Sequence, residues 1–425
     1  MDNNNKFWRG FLAGVLSTAG IAVIAGVFII ALNVGVKNDS LGMKNTYNLN
    51  TRLVGGDYEK STLDYDHILT KMQFLQNIID KYYLYGVDAR KLEDMIYSGM
   101  LAGLDDVYTG YYNEEDYQAL QESTTGIYYG IGVQVQQDTD TGVISITKVF
   151  SGGPSFEAGL RPEDAIYKID DMEVIGMDLN TVVTYIKGSE GSTVNLTIYR
   201  ASTKEYLEFE VERREVSIDT TTYNMIGDTI GYIQLTEFDE VSHEQFVEAY
   251  KDLESQGMEA MIVDVRGNPG GLLSSVVDIL DEILPEGVLI YTEDKNGNGD
   301  TYTSDEERQI NIPMAVLVNG NSASASEAFA GAIKDYGWGT IVGTTTFGKG
   351  IAQSMLPLGD GTAIKITESN YFTPSGNNIH GIGIEPDVVV ELDEALKTMA
   401  VIDQQDDNQL QKAIEIVTEE LNRGR

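Results

Sequence analysis

Cysteine is absent from the 425 residues, and histidine occurs only three times, at His67, His243 and His380. A chain without cysteine forms no disulfide and has no thiolate metal site or cysteine nucleophile. Basic residues are also few, 29 against 67 acidic ones, and the formal net charge of −38 argues against a groove for nucleic acid. We therefore expect no nucleic-acid partner and no metal site built from histidines or thiolates.

An apolar segment without any charged residue extends from residue 10 to residue 36. About 20 apolar residues cross a bilayer, whereas the apolar part of a cleaved signal peptide has only about 7–15. The pattern predicts a signal-anchor helix over 10–36, a membrane partner, and a polar linker over 37–62. Because Lys6 and Arg9 precede the helix, the positive-inside rule predicts a single-pass cell-membrane protein with a cytoplasmic amino terminus and an extracytoplasmic remainder.

Changes of periodicity divide the rest of the chain. Apolar residues recur at three- and four-residue steps over 63–124, which predicts a small helical domain. Over 125–214 short strands alternate with glycine or charged turns, with one helix at 179–186. Strands and helices alternate over 215–395, which predicts an α/β core of βαβ units with sites at the strand ends. The final residues, 396–425, are predicted to form a helical segment.

Two segments of this core follow apolar strands and carry residues suited to acyl-transfer chemistry. The glycines of DVRGNPGGLL, at 264–273, leave amides that could bind an oxyanion, although an ordinary glycine turn has the same composition. NSASASEAFAGAIKD, at 321–335, opens a helix, where a serine nucleophile would lie beside the helix amides. This reasoning does not choose among Ser322, Ser324 and Ser326, and helix capping is an alternative role for all three.

A serine nucleophile needs a base, and none of the histidines lies in a segment that suits this role. Lys349 lies between glycines and apolar residues in FGKGIAQ, where burial would lower its pKa. A fall from about 10.4 to about 7–8 costs roughly 4 kcal/mol, which desolvation can supply. A neutral Lys349 would accept the serine proton, although a solvated lysine in a tight turn fits the same motif.

In their order along the chain, these segments resemble the motifs of the C-terminal processing peptidases, the tail-specific serine peptidases of family S41. The resemblance rests on DVRGNPGGLL, NSASASEAFAGAIKD, GTTTFGKGIAQ and YFTPSGNNIHGIGIEPDVVV, and it covers about residues 65 to 392. It implies a crotonase- or ClpP-like α/β core. It assigns Ser324 as nucleophile, Lys349, 25 residues later, as general base, and Gln353 as the amide that orients the lysine. The oxyanion donors that it implies are the backbone amides of Ala325, Gly270 and Gly271.

Residues 125–214 resemble a PDZ domain. This resemblance rests on the glycine loop Tyr-Gly-Ile-Gly at 129–132 and on GPSFEAGL at 153–160, followed by Asp164. In such a loop consecutive amides converge on a carboxylate, and an extended peptide adds to the sheet edge. A protein or peptide with a free C-terminus is therefore the implied partner, and the domain is expected to gate the active site. The expected peptide contacts are Tyr129, Gly130, Ile131, Gly132 and Val133.

The mechanism implied by the resemblance is acyl transfer, in which Ser324 attacks a peptide carbonyl and Lys349 takes and later returns a proton. It requires no metal and no cofactor. Two alternatives are a catalytically silent scaffold that retains the PDZ and peptidase-like regions, and a crotonase-type acyl-thioester enzyme. The sequence leaves the natural substrate and the oligomeric state open, a homo-oligomer included.

One further motif, DKNGNG at 294–299, matches the start of a calcium loop, with Asp305 at its twelfth position. Its flanks, VLIYT and TYT, have the composition of strands rather than helices. We therefore predict a hairpin turn at this place instead of a calcium site.

Overall fold

A computed structural model describes the chain over residues 63–139, 141–150, 152–397, 399 and 402–424. The predicted signal-anchor helix at 10–36 and the linker at 37–62 lie outside these residues. Among the described helices, none combines the length and apolar character needed to cross a bilayer.

The described residues divide into two compact units. The smaller unit comprises residues 63–117 and 355–366, and the larger unit comprises the remainder, from residue 118 onward. The chain passes between the units within helix α3 (Glu114–Thr125) and within the strands β17 (Ile351–Pro357) and β18 (Ala363–Phe372).

The smaller unit contains the helices predicted near its start. Each begins at an aspartate whose carboxylate accepts a backbone N–H of the first turn, as an N-cap does. Neither helix buries a residue within the described part of the chain. A short strand pairs antiparallel with the first residues of β18. These elements are α1 (Tyr65–Tyr82), α2 (Ala89–Ala102) and β1 (Gly110–Tyr112).

In the larger unit, residues 127–217 form the strand-rich region. An antiparallel sheet has the strand order β3-β4-β5-β7-β8, β6 pairs with β5, and β2 pairs with β9. The predicted helix at 179–186 is confirmed. The elements are β2 (Ile127–Gly130), β3 (Val133–Gln137), β4 (Ile144–Val149), α4 (Pro154–Ala158), β5 (Ala165–Ile169), β6 (Met172–Glu173), α5 (Leu179–Ile186), β7 (Thr193–Arg200), β8 (Glu205–Glu212) and β9 (Arg214–Ser217).

The core of this sheet follows the two-residue period of a strand. In β7 the side chains of Val194, Leu196 and Ile198 are buried, because alternate residues of a strand point to the same face. At the edge of this core the carboxylate of Asp164 accepts two hydrogen bonds from the Arg200 guanidinium, at 2.8 and 2.7 Å. Both side chains are at most 10% exposed, so the pair is a buried ion pair.

The remainder of the larger unit is the predicted α/β core. Its main sheet has the order β10-β11-β12-β15-β16-β19; β10 is antiparallel to β11 and the other neighbours are parallel. The elements are β10 (Thr221–Ile226), β11 (Ile230–Leu235), α6 (Ser242–Ser255), β12 (Ala260–Asp264), α7 (Leu273–Ile283), β13 (Gly287–Asp294), β14 (Thr301–Ser304), β15 (Met314–Val318), α8 (Ala325–Asp335), β16 (Thr340–Gly343), β19 (Val388–Val389) and α9 (Asn408–Arg423).

Helices cover both faces of this sheet. Residues of α6, α7 and α8 pack on one face, and Leu410, Ala413 and Val417 of α9 pack on the other. Every residue of β12 and β15 is buried as a result, which is typical of parallel strands between two helical layers.

The predicted hairpin at 294–299 is confirmed, since β13 and β14 pair antiparallel across it. The Asp294 carboxylate accepts backbone hydrogen bonds from Asn296 and Asn298 at 2.7 and 2.9 Å. The same amides lower the pKa of Asp294, as expected for a carboxylate that closes a turn.

Replacement of Asp164 by Ala should destabilise the strand-rich region by about 3–5 kcal/mol, because it leaves the Arg200 guanidinium buried without its counter-ion. Hydrogen exchange of the β5 and β7 amides measures this loss. Glu157→Ala is the control, since Glu157 pairs with Arg214 at an exposed position and such pairs contribute about 0–1 kcal/mol. Equal exchange rates in both variants would contradict the expectation.

Candidate active site

The two predicted catalytic segments lie side by side at one edge of the main sheet. β12 and β15 are neighbouring parallel strands, and the carboxyl ends of parallel neighbours meet at the same edge. The loop after β12 is joined to the loop after β15 by two bonds. The Ala323 N–H donates to the Asn268 carbonyl at 3.0 Å, and the Ser326 hydroxyl donates to the same carbonyl at 2.9 Å. Both candidate segments thus follow the carboxyl ends of adjacent strands, which is where the sequence places them.

The three candidate serines differ in what their hydroxyls bind. The Ser322 hydroxyl donates to the Val265 carbonyl at 2.7 Å, and the Ser326 hydroxyl is committed to Asn268. The Ser324 hydroxyl is buried and has no hydrogen-bond partner among the described residues. Ser322 and Ser326 therefore hold the loop together, and Ser324 is the serine whose hydroxyl is available for chemistry.

Ser324 occupies a strained turn between β15 and α8. Its φ is +61° and its ψ −116°, a region that costs a residue other than glycine of order 1–3 kcal/mol. Ser324 is also the N-cap of α8, so the first amides of the helix point towards its side chain. A sharp turn between strand and helix thus places the Ser324 side chain beside the amides that begin the helix.

The buried carboxylate of Glu327 joins the turn at Ser324 to the loop that carries Lys349. The Oε2 atom of Glu327 accepts the backbone N–H of Ser324 and of Lys349, both at 2.8 Å. Its Oε1 atom accepts the Gly348 N–H at 2.7 Å and the Thr346 hydroxyl at 2.5 Å. Glu327 is fully buried, and a charge in such a place is retained only where its oxygens are satisfied. One oxygen atom of Glu327 thus binds the backbones of Ser324 and Lys349, which are 25 positions apart in the chain.

The hydroxyl of Tyr371 also connects the backbones of Ser324 and Lys349, through their carbonyl oxygens. Its hydroxyl oxygen lies 2.9 Å from the Ser324 carbonyl oxygen and 2.6 Å from that of Lys349. Burial raises the pKa of Tyr371 well above its ordinary value, so its hydroxyl keeps the proton that it donates. We call the carboxylate of Glu327 and the hydroxyl of Tyr371 the main-chain clamp, because together they fix the separation of the Ser324 and Lys349 backbones.

The predicted base and its partner are both buried. Lys349 is 3% exposed and Gln353 is fully buried, so the burial expected for Lys349 is confirmed. The Gln353 Nε2 group donates to the Ile351 carbonyl at 3.4 Å, and its Oε1 atom has no partner in the described part of the chain. The catalytic roles of both residues stay predictions.

In the first loop, Gly270 lies directly against Ser324 and Gly271 against Phe238. A Cβ on Gly270, whose φ is +110°, would lie 2.7 Å from the Ser324 Cβ and 2.9 Å from the Ala325 nitrogen. A Cβ on Gly271 would lie 1.9 Å from the Phe238 carbonyl oxygen. The Gly270 N–H donates to the Asn268 side chain at 2.8 Å, so it would have to leave this bond to act as an oxyanion donor. The oxyanion roles of Ala325, Gly270 and Gly271 stay predictions.

The segment after β11 supports this loop and carries a perturbed carboxyl group. Phe238 donates to the Gly270 carbonyl at 2.9 Å and accepts the Leu272 N–H at 2.6 Å. Burial, with a smaller contribution from the Asp239 charge, raises the pKa of Glu237 to about 7. A group that ionises near neutral pH thus lies directly before the residue that holds the glycine loop.

Two of the five predicted peptide-binding residues, Ile131 and Val133, line a cavity of about 600 Å³ between β3 and α5. We call this cavity the PDZ groove. Gly132 has a φ of +75°, as the glycine loop requires. Tyr129 is 43% exposed, and its hydroxyl donates to the Glu215 carboxylate at 3.2 Å. Gly130, the next residue, is buried. Neither residue lines the PDZ groove.

Two residues important to the active site were not identified from the sequence: Glu327 and Tyr371. The Ser-x-x-Glu spacing of Ser324 and Glu327 is a capping-box pattern and was the available signal for Glu327. Tyr371 carries no local signal, because its role depends on neighbours distant in the chain.

The fold and the site together define a serine-type α/β peptidase core joined to a PDZ domain. The profile of peptidase family S41 matches residues 229–390, and the PDZ profile matches residues 130–212. Carboxy-terminal processing protease CtpB of Bacillus subtilis (strain 168) is 33% identical over 392 residues, which cover 91% of this chain and 78% of that protein. A carboxyl-terminal-processing protease of Synechocystis sp. is 37% identical over 323 residues, 75% of each chain. The chain therefore belongs to the carboxyl-terminal processing serine proteases of family S41, as the resemblance predicted.

A solved structure is also similar to the chain. The photosystem II D1 C-terminal processing protease is 28% identical, with 75% of this chain and 86% of that chain covered and a TM-score of 0.45. The family assignment rests on the sequence relatives.

Replacement of Tyr371 by Phe should lower kcat about tenfold, equivalent to about 1.4 kcal/mol, because it removes the carbonyl side of the main-chain clamp. KM should change little, since the hydroxyl lies outside the PDZ groove. Steady-state hydrolysis measures both constants. Tyr336→Phe is the matched control, as the Tyr336 hydroxyl also donates to a backbone carbonyl, that of Val288 at 3.0 Å. A kcat loss of the same size in both variants would refute a specific role for Tyr371.

Replacement of Glu237 by Gln should weaken the pH dependence of stability. The raised pKa means that the folded state holds this proton more tightly than the unfolded chain does, so stability falls as pH rises from about 4.5 through 7. The loss amounts to roughly 3 kcal/mol. Denaturant unfolding between pH 5 and pH 8 tests this, with Glu240→Gln, an exposed carboxyl of the same loop, as control. An unchanged pH slope in Glu237→Gln would contradict the assignment.

Proposed function

We propose that the chain is a membrane-anchored serine endopeptidase that cleaves proteins at or near their C-terminus with a Ser324–Lys349–Gln353 site. The observation that carries this proposal is the contrast among the three serines, of which Ser324 alone leaves its hydroxyl uncommitted. The main-chain clamp supports it further, since that clamp holds Ser324 beside a buried lysine.

In the proposed reaction, the Ser324 Oγ attacks the carbonyl carbon of the substrate while the Lys349 Nζ removes its proton. The negative charge that develops on the carbonyl oxygen is stabilised by the amide of Ala325 and by the glycine loop. Collapse of this intermediate breaks the peptide bond, and Lys349 returns the proton to the departing amine. Water, deprotonated by Lys349, then attacks the acyl-enzyme and releases the second product. Gln353 orients the lysine by accepting a hydrogen bond at its Oε1 atom.

The PDZ domain is proposed to bind the C-terminus of the substrate and to gate this site. A continuous set of contacts supports coupling between the two. The Glu240 N–H donates to the Thr124 carbonyl at 3.2 Å, next to the strand that carries the glycine loop of the PDZ domain. In the same segment Phe238 is bonded to both sides of Gly271. Movement of the PDZ glycine loop would therefore be transmitted to the loop that holds the oxyanion donors.

The location of the enzyme is proposed from the amino-terminal sequence. The uncharged segment at 10–36 would hold the chain in a cell membrane, with the basic residues before it on the cytoplasmic side and the peptidase outside. Its substrates would then be extracytoplasmic proteins with free C-termini.

Incubation of the full-length chain with an unfolded protein tests the proposal. Ser324→Ala and Lys349→Ala should each reduce the cleavage rate by a factor on the order of a thousand or more, because nucleophile and base act as a unit. Ser255→Ala and Lys251→Ala, at two exposed positions on α6, serve as controls and should retain most of the activity. Cleavage unaffected by Lys349→Ala would reject Lys349 as the base, and cleavage unaffected by Ser324→Ala would reject the nucleophile.

A further inference from the structure

The PDZ groove contains an ion pair between two elements that form its walls. Lys187 directly follows α5, and its ammonium group is paired with the carboxylate of Glu122 on α3. Both residues line the groove, and both side chains are partly shielded from solvent, at 36% and 25% exposure. The other carboxylate oxygen of Glu122, Oε1, accepts a hydrogen bond from the Gln118 side-chain amide at 3.3 Å. A carboxylate of the protein itself is therefore bound to the cation of the groove.

Next to this ion pair lies a hydroxyl group that lacks a hydrogen-bond partner. The Lys187 Nζ is 5.4 Å from the centre of the Tyr128 ring, and the buried Tyr128 hydroxyl bonds to no other described residue. Burial raises the pKa of Tyr128 to about 12, and the backbone amides of Val133 and Gly132 act in the opposite direction. The hydroxyl is therefore a protonated donor beside the amides of the glycine loop, and a buried donor without an acceptor is unfavourable until an acceptor binds.

The rest of the groove is apolar. Side chains from the glycine loop, from the sheet and from α5 form this part of its lining: Ile131, Val133, Val135, Phe150, Val183 and Ile186. A ligand that complements the whole groove therefore carries a carboxylate at the end near Lys187 and an apolar side chain next to it. The C-terminal residue of a protein has both groups on one atom.

We propose that Glu122 is an internal competitor for the substrate: it occupies Lys187 until the α-carboxylate of an apolar C-terminal residue replaces it. This inference rests on the proposed role of the groove as the C-terminus site. The incoming carboxylate gains the Lys187 ammonium, the Tyr128 hydroxyl and the amides of the glycine loop. Glu122, at the groove wall, moves to water. Because one carboxylate replaces another, the partly shielded Lys187 ammonium keeps a counter-ion throughout the exchange.

The exchange provides selectivity as well as binding. An internal segment of a protein or an amidated peptide has no terminal charge and therefore cannot replace Glu122 on Lys187. Competition by Glu122 also reduces the apparent affinity for every ligand that needs Lys187, because that affinity is multiplied by the fraction of molecules in which the lysine is free of Glu122. The ion pair thus lowers affinity for correct termini in order to exclude chains without one.

Binding of fluorescent peptides to the full-length Ser324→Ala chain tests this inference. The probes are one peptide that ends in valine with a free carboxylate and the same peptide with a C-terminal amide, and the measurement is fluorescence anisotropy. We expect Glu122→Gln to tighten binding of the free acid about three- to tenfold and to leave binding of the amide unchanged. We expect Lys187→Gln to weaken binding of the free acid about tenfold. In the double variant, the Glu122 substitution should have no further effect.

Lys168 and Glu173 provide a matched control pair. They form an ion pair in the same domain, and the Lys168 Nζ lies 5.7 Å from the centre of a tyrosine ring, but neither residue lines the groove. Lys168→Gln and Glu173→Gln should leave both affinities unchanged. The inference is overturned if Glu122→Gln does not tighten binding of the free acid, if Lys187→Gln weakens acid and amide equally, or if no variant binds the acid.

Because Ser324 is replaced in this experiment, its outcome is independent of catalysis. If the affinities change as expected but the unsubstituted chain cleaves no substrate, the inference about Glu122 stands and the proposed peptidase activity is rejected. If the unsubstituted chain cleaves its substrate but the affinities do not respond to the Glu122 substitution, the peptidase activity stands and the role of Glu122 as a competitor is rejected.

Discussion

The arrangement of the active site depends on the buried carboxylate of Glu327. Four donors satisfy its two oxygens: three backbone amides and one hydroxyl, from the first turn of α8 and from the loop that precedes β17. A buried anion with fewer donors would be costly, so the loop and the helix are stable only when they are joined. The same hydrogen bonds support the positive φ of Ser324, since Glu327 accepts a hydrogen bond from the Ser324 N–H in this conformation.

The fold explains why this junction lies at the edge of the main sheet. β12 and β15 are parallel and adjacent, so the loops that follow them meet, and the Asn268 carbonyl joins them through Ala323 and Ser326. Phe238 holds the glycine loop from the opposite side. The segment of Phe238 continues to Glu240, whose N–H donates to the Thr124 carbonyl directly before the PDZ domain. The proposed sites of substrate capture and of oxyanion stabilisation are thus connected through one short stretch of chain.

Local sequence patterns predicted the elements well where a single periodicity operates. The helix at 179–186 and the hairpin at 294–299 are found where the sequence places them, because apolar spacing and turn residues determine structure over a few residues. The burial of Lys349 also follows from its apolar and glycine neighbours. None of these patterns reports which distant residues will meet, so the partners of Glu327 and the Glu122–Lys187 pair could not be derived from them.

The sequence by itself determined the family, the order of the PDZ and peptidase regions and the segment that contains the candidate serines, since ordered motifs and periodicity are properties of the chain. Only the tertiary structure decided which serine keeps its hydroxyl uncommitted, because Ser322 and Ser326 find their acceptors in a loop about 60 residues earlier. The same holds for Tyr371, whose hydroxyl reaches carbonyls on two other segments. Hydrogen bonds between distant residues depend on positions in space, and those positions are fixed only when the parallel strands assemble.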